Sequence, residues 1–277
     1  KDYFLPSLNL KYNLNDKNSL RFGASKTYTL PQAKEISPYR YVGVNFNSQG
    51  NPNLKPSDNY NLDLKWDFNP TPTELISLTA FYKLIKNPIS RIEVASAGGY
   101  LSYENIADKA TVAGVEVEIR KNLFVRPVSN AAHGMNKLSL GLNGSYIYTN
   151  AKMPLATVTT GSQLEGAAPW IVNFDLSHNF TKGERSFVNT LVLNYVSDKI
   201  YTIGTQGYQD IMEQGVLTLD FVSQAKLNKH LSLNLKARNL LNPSYKLSRK
   251  ANENGEKVIL NDYKKGINIS LGVSCTF

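Results

Sequence analysis

The chain has 277 residues, of which 42% are apolar, 10% aromatic and 19% charged, and its formal net charge is +9. The apolar content excludes a disordered chain, and the single cysteine excludes an internal disulfide and a cysteine metal cluster. A mean hydropathy of −0.31, with no apolar run of about 18 residues, excludes a membrane-spanning helix but not a membrane β-barrel, whose strands alternate between lipid and water.

The basic charge does not indicate a nucleic-acid partner. There is no zinc-finger spacing, no helix-turn-helix pattern and no long block of Lys and Arg, so we interpret the charge as dispersed over a polar surface. The first residues, KDYFLPSLNL, lack the apolar core of a signal peptide. Either the mature protein starts here or an N-terminal part of a longer protein is missing.

Apolar and polar residues alternate with period two along almost the whole chain, which predicts an all-β protein. In the last segment, 267–277, every odd position is Ile, Leu, Val, Cys or Phe and every even position is Asn, Ser, Gly or Thr. We predict about eleven strands, in chain order near 4–13, 18–28, 60–68, 75–94, 101–120, 137–149, 169–181, 186–201, 217–226, 231–238 and 267–277.

The predicted connections alternate in length. Short polar turns lie at 15–18, 69–72, 182–185 and 228–230, and longer irregular stretches lie at 29–57, 95–100, 150–168, 202–212 and 243–258; a long connection at 121–136 breaks the rule. This pattern is typical of an antiparallel transmembrane β-barrel with short periplasmic turns and long extracellular loops. The alternative is a soluble β-protein that packs the same apolar face on a core, although its strands would be spaced more closely.

In a barrel, the two faces of each strand meet different solvents. The apolar set is expected to face lipid, with aromatic residues near the strand ends at the membrane interfaces. The polar set is expected to face the lumen or a plug; its charged members are Asp63, Lys65, Asp67, Glu116, Glu118, Arg120, Asp220, Lys236 and Arg238. Because Asp63, Lys65 and Asp67 recur at every second residue, as do Glu116, Glu118 and Arg120, we interpret them as lumen charges and not as acid–base pairs.

The predicted topology places the N-terminus outside and the C-terminus in the periplasm. Eleven strands with ends on opposite sides do not make a complete bacterial barrel, and an open sheet would leave two edges in lipid. We therefore expect residues 1–277 to be the C-terminal part of a larger barrel.

Several segments carry a family resemblance. They are RFGASKTYTLPQAKEISPY (21–39), GNPNLKPSDNYNLDLKWDF (50–68), ELISLTAFYKLIKNPI (74–89), YENIADKATVAGVEVEI (103–119) and KARNLLNPSY (236–245). In this order they resemble the C-terminal half of the barrel in TonB-dependent outer-membrane receptors, particularly the Bacteroidota type. Within the motifs, Gly114 is expected to mark a close backbone approach or a bend, and Asn239 to Pro243 to end a strand.

The resemblance implies a 22-stranded barrel in the outer membrane of a Gram-negative cell, plugged by an N-terminal domain. Such receptors import large scarce nutrients such as siderophores, cobalamin, glycans or peptides with energy from the TonB complex; the plug and TonB box have no counterpart here. The terminal aromatic Phe277 resembles the signal read by the barrel-assembly machinery. A different interpretation is a receptor-derived barrel that serves as a structural scaffold for surface lipoproteins.

No residue pattern indicates an enzyme, a cofactor or a bound metal. His133, His178 and His230 are far apart in sequence, and no nucleophile elbow, Walker loop or dinucleotide fingerprint occurs. Cys275 is interpreted as a small apolar filler on the lipid side.

Ligand contact is expected from aromatic and cationic residues of the outer loops. The candidates are Tyr39, Arg40, Tyr41, Tyr100, Tyr103, Tyr208 and Tyr245, with Tyr201 in the same outer set. Basic loop residues are expected to meet lipopolysaccharide phosphates by charge attraction; they are Lys34, Arg40, Lys55, Arg249 and Lys250.

Overall fold

A computed structural model describes residues 3–96, 99–128, 134–153, 163–251 and 255–276. Phe277 and His133, and with them the predicted assembly signal, lie outside these ranges. The described part contains one short helix, α1 (Ala33–Ile36), and nineteen strands. The strands are β1 (Ser7–Asn13), β2 (Asn18–Thr29), β3 (Arg40–Tyr41), β4 (Ser48–Gln49), β5 (Ser57–Phe68), β6 (Leu75–Lys86), β7 (Ile89–Val94), β8 (Tyr100–Asn105), β9 (Lys109–Pro127), β10 (Met135–Ala151), β11 (Trp170–Lys182), β12 (Arg185–Val196), β13 (Lys199–Thr202), β14 (Ile211–Glu213), β15 (Val216–Lys226), β16 (Leu231–Arg238), β17 (Ser244–Lys250), β18 (Lys257–Lys264) and β19 (Asn268–Cys275).

Eleven of these strands form one antiparallel sheet, which confirms the predicted fold class and strand number. Its order is β1-β2-β5-β6-β9-β10-β11-β12-β15-β16-β19, so each strand pairs with the next long strand along the chain. Short turns join its strands at one end and long segments join them at the other, as the sequence predicts. Accordingly, β1 begins at the end with the long segments and β19 ends at the end with the turns.

The outer segments are more regular than the sequence indicates. Eight short strands in the long connections form two four-stranded sheets, in the orders β3-β4-β8-β7 and β13-β14-β17-β18. The predicted strands at 75–94, 101–120 and 186–201 are therefore wrong in extent, because each is a sheet strand plus a separate outer strand. Asn87, with φ at 50°, turns the chain between β6 and β7.

The predicted long connection at 121–136 is also mostly strand. β9 continues to Pro127 and β10 begins at Met135, with a bulge beside Leu138. The alternation is interrupted at this bulge, which explains why period-two patterning does not extend the strands through it.

The two faces of the large sheet have the reverse of the burial expected in a soluble protein. On β5 the apolar Leu62 and Leu64 are 46% and 52% exposed, whereas Asp67 on the opposite face is 5% exposed. The polar face is hydrogen-bonded across strands: Asn173 donates to Asn143 at 3.2 Å, and Asn194 donates to Asn173 at 2.5 Å. This arrangement is the one expected when the apolar face meets lipid and the polar face lines a lumen.

Within the described ranges, no helix has the length and apolar character needed to cross a membrane.

The hydrophobic core lies among the outer segments and the outer ends of β9 and β10, not along the body of the large sheet. Its buried members are Ile92, Ile106, Ala107, Ala110, Ala151, Leu164, Ile200 and Ile203. Ile92 and Ile203 form a parallel bridge between the two outer sheets, and Glu93 donates from its backbone to Ile203 O at 3.0 Å. The two sheets are thus held together by a core and by backbone hydrogen bonds.

Gly114 marks a close approach, as one of the two sequence interpretations predicts. A Cβ at this position would lie 2.3 Å from Phe81 Cζ and 2.5 Å from the carbonyl oxygen of Tyr146. Because one of these neighbours is backbone, β9 accepts only glycine here without a shift in the sheet.

Candidate ligand-binding site

The outer sheets enclose a cavity of about 590 Å³. All four strands of each outer sheet contribute to it, together with α1 and the segment between β3 and β4. Six aromatic rings line it, from Tyr41, Phe46, Tyr103, Tyr201, Tyr245 and Tyr263. Its charged lining residues are Lys34, Arg91, Lys246 and Glu213, so cations outnumber anions.

The rings of the cavity wall pack against one another. Tyr245 and Tyr263, opposite each other on β17 and β18, stack with centroids 5.4 Å apart and planes 20° apart. Phe46 lies 6.1 Å from Tyr201 across the gap between the two sheets. Such packed aromatic walls give a ligand apolar area and ring faces for stacking.

Arg91 of β7 connects three outer segments. Its Nη2 donates to Glu165 Oε1 at 2.8 Å, and its backbone amide donates to the other carboxylate oxygen at 2.6 Å. The guanidinium also donates to the carbonyl oxygen of Tyr201, at 2.7 Å from Nη2, and stacks on the Tyr201 ring at 3.9 Å. One side chain therefore fixes a wall ring of the cavity and a carboxylate from the segment between β10 and β11.

Burial shifts the titration of two groups around Arg91. Burial raises the pKa of the Glu165 carboxyl above its ordinary value of 4.5, and the hydrogen bonds and charge of Arg91 oppose that shift. Burial likewise raises the pKa of the Tyr103 hydroxyl, with the charge of Arg91 again opposing. Tyr103 therefore stays a neutral hydroxyl at physiological pH, able to donate a hydrogen bond into the cavity.

A second ion pair joins the outer sheets. Arg249 of β17 pairs with Glu93 of β7, and its guanidinium lies 5.3 Å from the Tyr208 ring centroid. Both charged side chains are mostly buried, at 17% and 15% exposed. The expectation that Arg249 meets lipopolysaccharide phosphates is thus wrong, because its guanidinium is buried in an ion pair with Glu93.

The Gly50-Asn51-Pro52 motif fastens the first outer segment to this region. Asn51 donates from its side chain to the carbonyl oxygen of Tyr103 at 3.0 Å, and Lys55 donates from its backbone to Asn105 Oδ1 at 2.8 Å. These bonds hold the approach to β5 against β8, so the turn motif positions a wall of the cavity.

The structure brings together some of the predicted ligand residues and separates others. Tyr41, Tyr103 and Tyr245 line the main cavity, with Tyr201 beside them, and Tyr39 and Arg40 line an adjoining depression that shares Tyr41. Tyr100 lies under the guanidinium of Arg40, at 5.7 Å, and Tyr208 lies against Arg249, so neither lines the main cavity.

Among the aromatic and cationic residues of the lining, the sequence does not predict Phe46, Arg91, Lys246 and Tyr263. Phe46 lies in an irregular stretch and Lys246 and Tyr263 in outer strands that the alternation did not predict. The Asn87-Pro88 pair before Arg91 is a turn signal that separates this residue from the preceding strand.

The predicted lumen residues all lie on the polar face of the large sheet. Asp67 is held between Arg21 Nε and Lys65 Nζ, each 3.4 Å away, and Arg120 Nε lies 2.8 Å from Glu118 Oε1. The strand register places the remaining members on the same face: Asp63 lies opposite Gly23, Glu116 opposite Thr79, Lys236 opposite Val222 and Arg238 opposite Asn268. Asp220 lies opposite Val192 and accepts a hydrogen bond from the backbone amide of Asn239 at 2.8 Å.

In the ranges that the structure describes, no group of three or more His, Cys, Asp or Glu side chains is arranged to hold a metal ion. His178 accepts or donates one hydrogen bond with Asn136 at 2.8 Å on the apolar face of the sheet.

Comparisons with known proteins agree with this architecture. The family model described as "TonB dependent receptor-like, beta-barrel" matches residues 1–240. The iron-regulated outer membrane virulence protein of Vibrio cholerae serotype O1 (strain ATCC 39315 / El Tor Inaba N16961) is 25% identical over 228 residues, which are 79% of this chain and 32% of that protein. The chain thus spans about a third of the length of this curated relative.

Solved structures share the fold at low identity. The ferric yersiniabactin uptake receptor FyuA from Yersinia pestis aligns with a TM-score of 0.62 at 16% identity, over 99% of this chain and 37% of that one. The siderophore receptor PirA from Acinetobacter baumannii gives 0.62 at 17% over 99% and 41%, and the copper transporter OprC gives 0.66 at 14% over 98% and 40%.

These relatives do not support the expected Bacteroidota affinity. They include an outer membrane protein, two siderophore-related receptors and a copper transporter, and the family match covers most of the chain. The chain therefore belongs to the TonB-dependent receptor family, as a β-barrel segment in the outer membrane of a Gram-negative bacterium.

Proposed function

We propose that this chain is the C-terminal part of the barrel of a transporter that binds ferric siderophores at the cell surface and imports them with energy from TonB. Several similar proteins are named for siderophore uptake or iron regulation, which favours this substrate class over cobalamin, glycans or peptides.

The cavity between the outer sheets carries the proposal. Its volume of about 590 Å³ lies in the range of roughly 300 to 1,000 Å³ that small-molecule sites occupy. Many ferric siderophores are anionic and carry aryl rings, which suits a wall of packed tyrosines that also presents lysine and arginine side chains. Tyr103 and Tyr41 add hydroxyls that can donate hydrogen bonds to phenolate or carboxylate oxygens.

The edges of the large sheet support membership in a larger barrel. All seven residues of β1 and all eight of β19 are exposed, and within the described residues neither strand has a partner on its outer side. Because an unpaired strand edge in lipid leaves its backbone groups unsatisfied, we infer that further strands close the barrel against β1 and β19. A plug inside that barrel would face the polar lumen residues and connect them to TonB.

Iron uptake tests the proposal. Iron-starved cells are given labelled ferric siderophores of the catecholate and mixed phenolate types, with the receptor gene present or deleted, in strains with and without TonB. The proposal predicts uptake that needs both the receptor and TonB. Equal uptake without TonB would overturn it, and a stable co-purified lipoprotein with a closed lumen would favour the scaffold interpretation instead.

A further inference from the structure

A row of charged residues crosses four neighbouring strands on the lipid-facing side of the sheet. Asp58 of β5 lies opposite Tyr28 of β2 and Lys86 of β6, and Lys86 lies opposite Lys109 of β9. Residues that are paired in this way share a face. Lys26 and Tyr60 form part of the next row on the same face. We call Lys26, Asp58, Tyr60, Lys86 and Lys109 the rim cluster.

The rim cluster lies at the outer boundary of the apolar band. Below it on β5, the same face carries Leu62, Leu64, Trp66 and then Phe68 near the turns. From Tyr60 to Phe68 the strand is about 26 Å long. At a tilt of about 40° it crosses about 20 Å of membrane thickness, which is close to the height of the apolar band of such barrels, about 25 Å. The lysines therefore sit where the hydrocarbon of the outer leaflet gives way to headgroups.

The remaining strands carry uncharged residues at the same level. β10, β11 and β12 place Tyr148, Trp170 and Tyr195 at their outer ends, with 52%, 52% and 39% of each residue exposed. Within the described strands, the lysines that face lipid near the long segments all lie on β2, β6 and β9. This is a localised charge and not a general property of the surface.

Lys26 and Lys86 lie at the ring of Tyr60, and Asp58 pairs with Lys26. The ammonium groups of Lys26 and Lys86 lie 5.5 and 5.3 Å from the ring centroid, and Lys26 Nζ lies 3.3 Å from Asp58 Oδ1. Asp58 is the single carboxylate among the lipid-facing residues of these four strands. Lys86 and Lys109 are exposed, so three cations face one anion at an apolar boundary.

We propose that the rim cluster binds the phosphorylated headgroup of a lipid in the outer leaflet, with Lys86 and Lys109 contacting phosphate and Tyr60 packing against the sugar or glycerol part. Lysine ammonium groups bind phosphate as point charges, and a tyrosine at this depth presents an apolar body and a polar tip. A cluster of lysines beside lipid is stabilised by anionic headgroups, and it does not depend on which nutrient the receptor imports.

Lipid retention by the complete receptor tests the proposal. The receptor as the cell makes it is extracted in detergent, and its binding of biphosphorylated lipid A, dephosphorylated lipid A, phosphatidylcholine and inorganic phosphate is compared. The triple variant Lys26→Gln, Lys86→Gln, Lys109→Gln should bind biphosphorylated lipid A at least about fivefold more weakly than the unchanged receptor, since each lysine contributes a separate attraction.

A matched control uses three lysines on the polar face, Lys11→Gln, Lys83→Gln and Lys137→Gln, which removes the same charge from the lumen side. The control should bind lipid A as the unchanged receptor does. Equal loss in both variants, or equal binding of dephosphorylated lipid A, would overturn the proposal. Displacement of lipid A by millimolar inorganic phosphate would overturn the lipid assignment.

Discussion

Arg91 and Glu165 are joined by two hydrogen bonds, one from the guanidinium at 2.8 Å and one from the Arg91 backbone amide at 2.6 Å. The two residues belong to different outer segments, and each side chain is about one-fifth exposed. The same guanidinium stacks on Tyr201, which lines the cavity. The pair therefore holds the outer segments together and also fixes one wall of the cavity.

Removal of the cation should loosen the outer sheets and leave the large sheet intact. Arg91→Met keeps the bond from the backbone amide but leaves the Glu165 carboxylate partly buried without its charged partner, at a cost of about 2 kcal/mol. Hydrogen exchange should quicken in β7, β8 and β13 but not in β10 to β12. Arg120→Met is the control, since Arg120 is 68% exposed in its pair with Glu118 and should change none of these amides. Unchanged exchange in Arg91→Met would contradict the role of the pair.

The pH dependence of the outer region should carry the signature of Glu165. Its folded-state pKa is raised above the ordinary value of 4.5, chiefly by burial, so the folded state binds the proton more tightly than the unfolded state. The contribution of this group to stability is therefore greatest below about pH 4.5 and falls as pH rises through the raised pKa.

Glu165→Gln mimics the protonated form and should flatten that part of the profile. Combined with Arg91→Met, it should restore part of the lost protection, because no unpaired carboxylate remains. Thermal melting of the outer region between pH 4 and 8, followed by hydrogen exchange, measures both effects. A Glu165→Gln profile that keeps the slope of the unchanged protein would refute the assignment.

Barrel assembly should be sensitive to Gly114. Gly114→Ala places a Cβ against Phe81 and the backbone of Tyr146, so we expect a loss of about 1–3 kcal/mol and a smaller folded fraction. Gly144→Ala on the neighbouring β10 is the matched control, because its Cβ would meet no atom within 4 Å. Heat-modifiable mobility on gels measures the folded fraction, and equal folded fractions for the two variants would argue against the close approach.

Much of the fold follows from side-chain parity, and the physical reason is the difference in solvent on the two faces. Leu62 and Leu64 must meet lipid while Asp63 and Lys65 meet polar groups, so the alternation is strict and the large sheet is readable from the sequence. The turns at the other end are short and polar for the same reason: they lie in water and connect adjacent strands.

The outer sheets obey no such rule. β7 and β13 pair with the next outer strands along the chain, but they also contact each other from distant parts of the sequence, where Arg91 bonds to Tyr201. Their faces meet a small core on one side and water on the other. Side-chain parity therefore predicts Arg91 in the continuation of a barrel strand, and its bond to Glu165, 74 residues away, has no local signal in the sequence. Tyr41, Tyr103 and Tyr245 were found because tyrosine in an outer segment is itself informative.

The central claim is that the cavity between the outer sheets takes up the imported substrate. The most direct measurement is the affinity of the complete receptor for a ferric siderophore that supports its TonB-dependent uptake, compared with the double variant Tyr41→Ala, Tyr245→Ala and with a control, Tyr148→Ala, Tyr195→Ala, at the membrane interface. We predict binding at least about tenfold weaker in the cavity variant, since each ring contributes about 1 kcal/mol or more, and unchanged binding in the control. Equal affinity in all three proteins would contradict the account.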